Sequence, residues 1–520
     1  MMPVPTPRRL ALSTTALALL LVAAPAATVQ AQTCTDGVAG GLPTLTCPDA
    51  GTPPVASDTD DLQVTVEAGA SILSDTRDAP PLALGGTNQT VFNDGLIRNS
   101  DPRNNTNAIA GTGNALTVDN AGMIESGDRA VHVLGGARDF TLLNRAGGQI
   151  RARRQAVRTE DETASMNGRV ENHGLIDSSN GRAVQMRGTG STVINHGTLL
   201  GGEEVIEGRL DFTVENHGLI ALHGLSFDRA TMTWTDTGAV ADEDGVQFAS
   251  GRIDNHGIIM STDDGVDIDE GVVHNHASGV IISAGPDTVR SSGGIDIDPV
   301  LQIPGLPGAE HPPAGRVSVI NEGFIEGPRA IVSALDSIAP IDIANTGTLS
   351  GRSGIAIDLA PGQGDTTIAL SGGSRVLGDI LFGDGGRNTL ELGLFDEGAE
   401  MAGRIGARTA GDLTAGLSDF AGLSGGFELQ FDAAVSLADF GRFGLGDNRL
   451  SLEMSAGAGM LRFDLFGVRG VDFGGARYNA RQFAAMLSEN GVAPIPLPAG
   501  VWLVLGGLGA LVALRRRRAA

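Results

Sequence analysis

Between residues 172 and 220 one short phrase is written three times: Asn172-His173-Gly174-Leu175-Ile176, Asn195-His196-Gly197-Thr198-Leu199 and Asn216-His217-Gly218-Leu219-Ile220. Earlier copies stand at Asn93-Asp94-Gly95-Leu96-Ile97 and Asn120-Ala121-Gly122-Met123-Ile124. Later ones are Asn255-His256-Gly257-Ile258-Ile259, Asn321-Glu322-Gly323-Phe324-Ile325 and Asn345-Thr346-Gly347-Thr348-Leu349, with looser copies at Asn144 and Asn275. Adjacent copies commonly lie about 20 to 28 residues apart, the size of one coil in a repeat protein. Each is preceded by a short apolar strand such as Ser191-Thr192-Val193-Ile194. About eight residues after the glycine comes a small-then-branched pair, among them Ala130-Val131, Ala156-Val157, Ala183-Val184, Val205-Ile206 and Ala330-Ile331, with Val246 and Val266 at the same offset. Three short strands per coil, side chains alternating in and out, predict an all-β chain wound as a parallel β-helix around one long core. Asparagine before glycine suits the corner, and amides stacked on successive rungs can hydrogen-bond along the axis.

Composition agrees with many short strands and tight turns. The 520 residues include 76 glycines, 23 prolines, 41% hydrophobic and 4% aromatic residues, too apolar for disorder and unlike a coiled coil or collagen. Lysine does not occur, so all 36 basic residues are arginine, which excludes Schiff-base chemistry and a lysine-dependent phosphate loop. The formal charge is −25; setting aside Arg8, Arg9 and Arg515 to Arg518 at the two ends leaves the body at −31. Such a body repels nucleic acid and anionic lipid and invites divalent cations.

The two ends read as addresses. Met1 to Arg9 is basic, Leu10 to Ala24 is apolar, and Val29-Gln30-Ala31 offers a cleavage site, so residues 1–31 are expected to be a secretory signal peptide. Cys34 and Cys47, the two cysteines, follow it directly and are expected to form a disulfide in an oxidising compartment, stapling an N-terminal cap over residues 32–60. At the other end a proline-rich linker ending Pro496-Leu497-Pro498-Ala499 leads into the apolar run Gly500 to Leu514 and then Arg515, Arg516, Arg517 and Arg518. Fifteen helical residues span only about 22 Å, a marginal membrane helix. Residues 491–520 closely resemble PEP-CTERM-like sorting tails of the VPLPA type found in Gram-negative bacteria, with Ile495 in place of the leading valine. The resemblance implies transient anchoring in the inner membrane, recognition by an exosortase-type protease, and delivery to the cell surface, outer membrane or extracellular matrix.

Residues 61–395, the repeat region, resemble the right-handed parallel β-helix passengers of autotransporter-type adhesins. About 90 residues separate residue 400 from the tail, too few for a translocator barrel, so export by the sorting tail is favoured. Eleven of the 17 phenylalanines fall between Phe382 and Phe483. Alternation in Phe427 to Phe431 and Leu450 to Met454 predicts antiparallel strands, and Asn479 to Ser488 a short helix, so residues 396–490 are expected to form a β-rich cap over the open end.

Three constellations are candidates for chemistry. Aligning Val266 with Ile295 places Asp267 beside Asp296 and Asp269 beside Asp298, on rungs ~4.8 Å apart. With Asp263 and Asp264 these form a candidate calcium cluster or, through paired carboxylates, a glycoside-hydrolysing site; the competing reading is a solvated acidic face. The insertion from Ala284 to Pro313 is the one segment that could wall a cleft there. His173, His196, His217, His256 and His276 follow the corner asparagines and would stack, an arrangement that can bind a transition metal but that repeat duplication alone also produces. Arg129, Arg154 and Arg182 precede core pairs at coil spacing and could grip an anionic polysaccharide, or form a solvated face. Charge is segregated, from +2 over residues 121–200 to −15 over residues 201–300. Together these lead to the expectation of an exported structural or adhesive protein of the polysaccharide matrix, not an enzyme; the alternative is a β-helix polysaccharide hydrolase or lyase.

Overall fold

A strand such as Thr192–Asn195 turns Val193 and Asn195 inward and leaves Thr192 and Ile194 half-exposed, so it can bury its inner face only by stacking on a copy of itself. That is the arrangement found in the computed structural model. It describes residues 33–495 apart from 161–166, 240–241, 299–314, 335–338, 360–363, 384, 410–419, 421–422 and 447; residues 1–31, expected to be a signal peptide, and Pro496 to Ala499 with Arg515 to Arg518, expected to be a sorting signal, lie outside the described residues.

The chain forms three parallel ladders, here faces A, B and C. On face A, Thr117–Asn120, Thr141–Asn144, Arg169–Asn172 and Thr192–Asn195 pair in succession, each asparagine opposite the next. Face B stacks Met123–Ser126 on Gln149–Ala152 and Leu175–Ser178. Face C stacks Arg129–Val133 on Gln155–Thr159 and Val184–Met186. Rows of fully buried residues, such as Val118, Leu142, Val170 and Val193 on face A and Ile124, Ile150 and Ile176 on face B, fill one continuous core. Each such side chain removed from water contributes about 1.5 to 3 kcal/mol, and a coil gains it only once its neighbour is in place.

Long gaps between copies of the repeat hold insertions that leave the register intact. Asn216 pairs directly with Asn255 and Asn275 with Asn321. The first insertion contains an antiparallel hairpin, Leu225–Asp228 with Thr233–Asp236, invisible to the repeat pattern. It folds back along face B: Trp234 Nε1 donates to Glu326 Oε1 at 2.9 Å, and the Arg352 guanidinium lies 5.3 Å from the indole ring. Leu225 is buried, Phe227 and Trp234 pack on the core, and Met260, outward-facing by alternation, is fully buried beneath.

The ladder also continues past residue 395. Asn388–Phe395 pairs in parallel with Phe427–Phe431, which pairs in parallel with Val468–Phe473. Phe427–Phe431 is therefore a parallel rung, not the antiparallel strand its alternation suggested, because its inward Phe427, Leu429 and Phe431 extend the core of the coil before. The antiparallel order expected for Leu450 to Met454 does occur, in Phe440–Leu445, Arg449–Ala456 and Gly459–Phe466. Helix Ala480–Glu489, started by an Asn479/Gln482 capping box, seats Phe483 against Phe431, Phe440 and Phe473 and closes this end. Among the described residues no helix is long and apolar enough to cross a membrane.

At the N-terminus the hairpin Thr35–Ala39 with Leu42–Cys47 precedes the first coil, and its second strand starts face A by pairing in parallel with Gln63–Val66. Cys34 and Cys47 are joined by a disulfide, which points to folding in an oxidising, exported setting. Closing so short a loop restricts the unfolded chain by about 3 kcal/mol on the entropic model. The double change Cys34→Ser/Cys47→Ser is expected to open the N-terminal hairpin to protease while the central coils keep their amide protection; loss of protection along the whole body would contradict a local staple.

Candidate functional site

Two polar ladders run along the axis. The first is internal: each corner asparagine donates from Nδ2 to Oδ1 of the next, from Asn93 through Asn120, Asn144, Asn172, Asn195, Asn216, Asn255, Asn275 and Asn321 to Asn345, at 2.7 to 2.9 Å. Asn345 ends the series on Ser374 Oγ, because Leu370 occupies the next rung. The glycine two residues on is required by contact rather than by its own torsion angles: a Cβ on Gly197 would lie 2.2 Å from Gly174 O, and one on Gly218 2.0 Å from Gly197 O. The second ladder is outside the same corner. His173, His196, His217, His256 and His276 stack with ring centroids 4.7, 4.7, 4.7 and 3.7 Å apart. Glu171, Glu215 and Asp254 bind His173, His217 and His276. Desolvation, followed by the charges of neighbouring imidazoles, pulls His196 and His256 below the ordinary histidine value.

Face C is different in kind. Its strands are buried on both sides, as in Arg129–Val133, where all five residues are buried. The row pointing away from the core is nevertheless polar: His132, Arg158, Gln185, Glu207, Gln247, Asp267 and Asp296 succeed one another in register. At its upstream end lie the three candidate arginines. Arg129 is 6% exposed and donates to Gln155 and Asn105, while Arg182 is held by Glu203, Glu204 and Glu207 at 2.6 to 2.8 Å. Arg154, beside Asp128, keeps 37% of its side chain exposed. The rungs are present, but two of these guanidinium groups are committed within the chain.

Downstream the row turns acidic. Val266 pairs with Ile295 and Asp267 with Asp296, as the alignment of the two segments required, and Asp298 follows with its N–H on Ile268 O. The solvated-face reading does not hold. Asp264, Asp267, Asp269 and Asp296 are 6, 8, 2 and 4% exposed. The start of the next rung, Gly293–Ile297, closes on two of the acids: Ser292 Oγ donates to Asp263 at 2.6 Å and Gly293 N–H to Asp264 at 2.7 Å; residues 299–314 of the insertion lie outside the described residues. Gln247 Nε2 donates to Asp267 at 2.6 Å.

One member of the cluster, Asp244, escaped the sequence reading. Glu243-Asp244-Gly245-Val246 repeats as Asp263-Asp264-Gly265-Val266 one coil later, a spacing that could have disclosed it. Asp244 accepts the N–H of Asp264 at 3.0 Å, as Asp264 accepts that of Gly293. Burial, then mutual repulsion, raises these carboxyls. Desolvation and the charge of Asp298 push Asp267 up to about 7, and desolvation with Glu204 pushes Glu243 to about 7. Desolvation leads again in Asp244, Asp264 and Asp296, joined by Asp267, Asp296 and Asp298 respectively.

Fold and ladders together define an all-β protein of parallel β-helix architecture with an internal asparagine ladder. Comparison with known proteins finds no match among family models, curated proteins or solved structures.

Proposed function

We propose that the chain is an exported, surface-sorted β-helix protein with a structural or adhesive role in contact with extracellular polysaccharide. The observation that carries this reading is the continuous parallel pairing along face A, from Leu42–Cys47 to Val468–Phe473, with the insertions placed outside it. Such a body presents outward rows of side chains at the rung spacing, the five stacked histidines among them. A linear polymer lying along it meets many weak contacts, which multiply by effective concentration. The disulfide supports export, and the tail resemblance supports processing by an exosortase-type protease. Glycan-array binding by the purified body, followed by a reducing-end assay on every hit, tests the reading. Binding without cleavage is expected, and mass spectra of surface protein should lack peptides from Gly500 onward. A body that binds no glycan, or mature protein that retains Arg515 to Arg518, would overturn it.

The buried carboxyls favour one second reading, a polysaccharide hydrolase or lyase. A carboxyl kept protonated near neutrality beside an ionised one is the pairing that glycoside hydrolysis uses. Cleavage of a glycan that Asp264→Asn abolishes would establish it.

A further inference from the structure

The acidic end of face C gathers carboxylates from three successive rungs. Asp244, Asp263 and Asp264 each bring a carboxylate oxygen within 4.8 Å of the others, and Asp267, Asp269, Asp296 and Asp298 continue the patch on the next two rungs. Arg182, the arginine whose charge reaches Glu243, is itself held by Glu203, Glu204 and Glu207. A separate observation concerns Asp296. It is 4% exposed, and its Oδ1 is buried with no hydrogen-bond partner, while its charge is the one that bears most strongly on Asp264. A buried carboxylate oxygen without a donor is costly unless something positive satisfies it.

We propose that Asp244, Asp263 and Asp264, backed by Asp296, hold a divalent cation of the hard, oxygen-seeking class, calcium in preference to a transition metal. Oxygens 2.3 to 2.6 Å from one calcium ion lie no more than about 5 Å from each other, which the three carboxylates already satisfy. The donors are all oxygen, without the imidazole or thiolate that selects zinc or copper. Glu243, Asp244 and Asp263 are only half-buried, so the site has a mouth through which an ion enters and waters complete its shell. Another cluster, Asp254 with His274 and His276, has donor atoms as close together. There Arg252 already grips Asp254 through both carboxylate oxygens, and a cation would have to compete with it. The acidic site joins three consecutive coils, those of Val246, Val266 and Ile295. Its ion acts as a clamp across the rungs on which the Ala284 insertion is mounted.

The test uses the mature exported chain, stripped with a chelator and then titrated with calcium, magnesium or zinc, with melting and limited proteolysis as readouts. Calcium in the millimolar range is expected to raise the melting temperature by several degrees and to protect the segment from Glu243 to Asp298, with magnesium weaker. Asp244→Asn with Asp264→Asn should abolish both effects while melting in chelator no lower than the parent, since asparagine keeps the acceptor for the N–H of the next coil and removes the repulsion. Asp296→Asn alone, the milder change, should weaken the calcium response several-fold and serves if the double variant does not fold. An unchanged melting temperature across the calcium range would overturn the proposal. So would a calcium response that survives Asp244→Asn/Asp264→Asn, or one that disappears with His274→Ala.

Discussion

In buffer free of divalent cations the protein loses stability as the pH rises from about 4 to about 7. Asp267 sets the window: folded, it holds its proton up to about 7, whereas its ordinary value is 3.8. Within that interval the folded chain binds a proton that the unfolded chain has released, so unfolding gains on folding with each step in pH. Retaining a proton across roughly three pH units is worth about 4 kcal/mol, and Asp244, Asp264 and Asp296 act in the same direction. His132 acts in the opposite one. Its 3% exposure holds it neutral down to about 4, so its contribution rises with pH until the free imidazole value near 6.5 is passed. Comparing Asp267→Asn with the parent isolates the carboxyl, because His132 is common to both. The variant is expected to flatten the profile and to melt higher than the parent at pH 8. A parent whose stability climbs steadily through this window, at the same m-value, would mean that the carboxyls do not crowd one another.

Asn216→Ala is the second large effect, of about 3 kcal/mol. Asn216 accepts from Asn195 at 2.9 Å, donates to Asn255 at 2.9 Å and also receives the N–H of Gly218. Truncation leaves one hydrogen of the Asn195 amide buried without an acceptor and takes a donor from Ile258 O, whereas Gly218 N–H keeps Asn195 O and Asn255 Oδ1 keeps Gly257 N–H; an unsatisfied buried group costs about 1 to 3 kcal/mol. Because coils couple only to their neighbours, the loss is expected to stay local. Hydrogen exchange should rise over Phe212–Asn216 and the flanking rungs Thr192–Asn195 and Val246–Asn255, with distant coils near Val131 keeping their protection. Asn216→Asp preserves the acceptor but loses the donor to Asn255, and should fall between parent and alanine near pH 4. Equal loss of protection along the whole body would contradict a nearest-neighbour solenoid.

Much of this architecture was legible in residue order because a coil is short. The phrase from Asn172 to Ile176 already states which residue turns the corner, which faces inward, and where the next strand begins. The pairing of Asp267 with Asp296 followed from aligning two copies, with no knowledge of the fold between them. The short helix expected over Asn479 to Ser488 forms as Ala480–Glu489 for the same reason, since its turns are set by residues three and four apart. Position beyond the coil was not written in this way. The strand Phe427–Phe431 alternates as an antiparallel strand would, and only the row it extends, with Leu429 on Leu390, makes it parallel.

What the sequence by itself determined is therefore the rung: its period, its three strands, its asparagine corner and its inward rows, all set by contacts between residues about one coil apart. What only the tertiary structure decided is which outward residues are covered. Asp264, Asp267 and Asp296 carry the pattern of a solvated face, yet they are buried, and Trp234 reaches across rungs to Glu326, 92 residues away. Alternation states which way a side chain points from its own strand. Whether water or another layer of chain meets it there depends on segments that break the repeat, and those carry no period from which their course can be read.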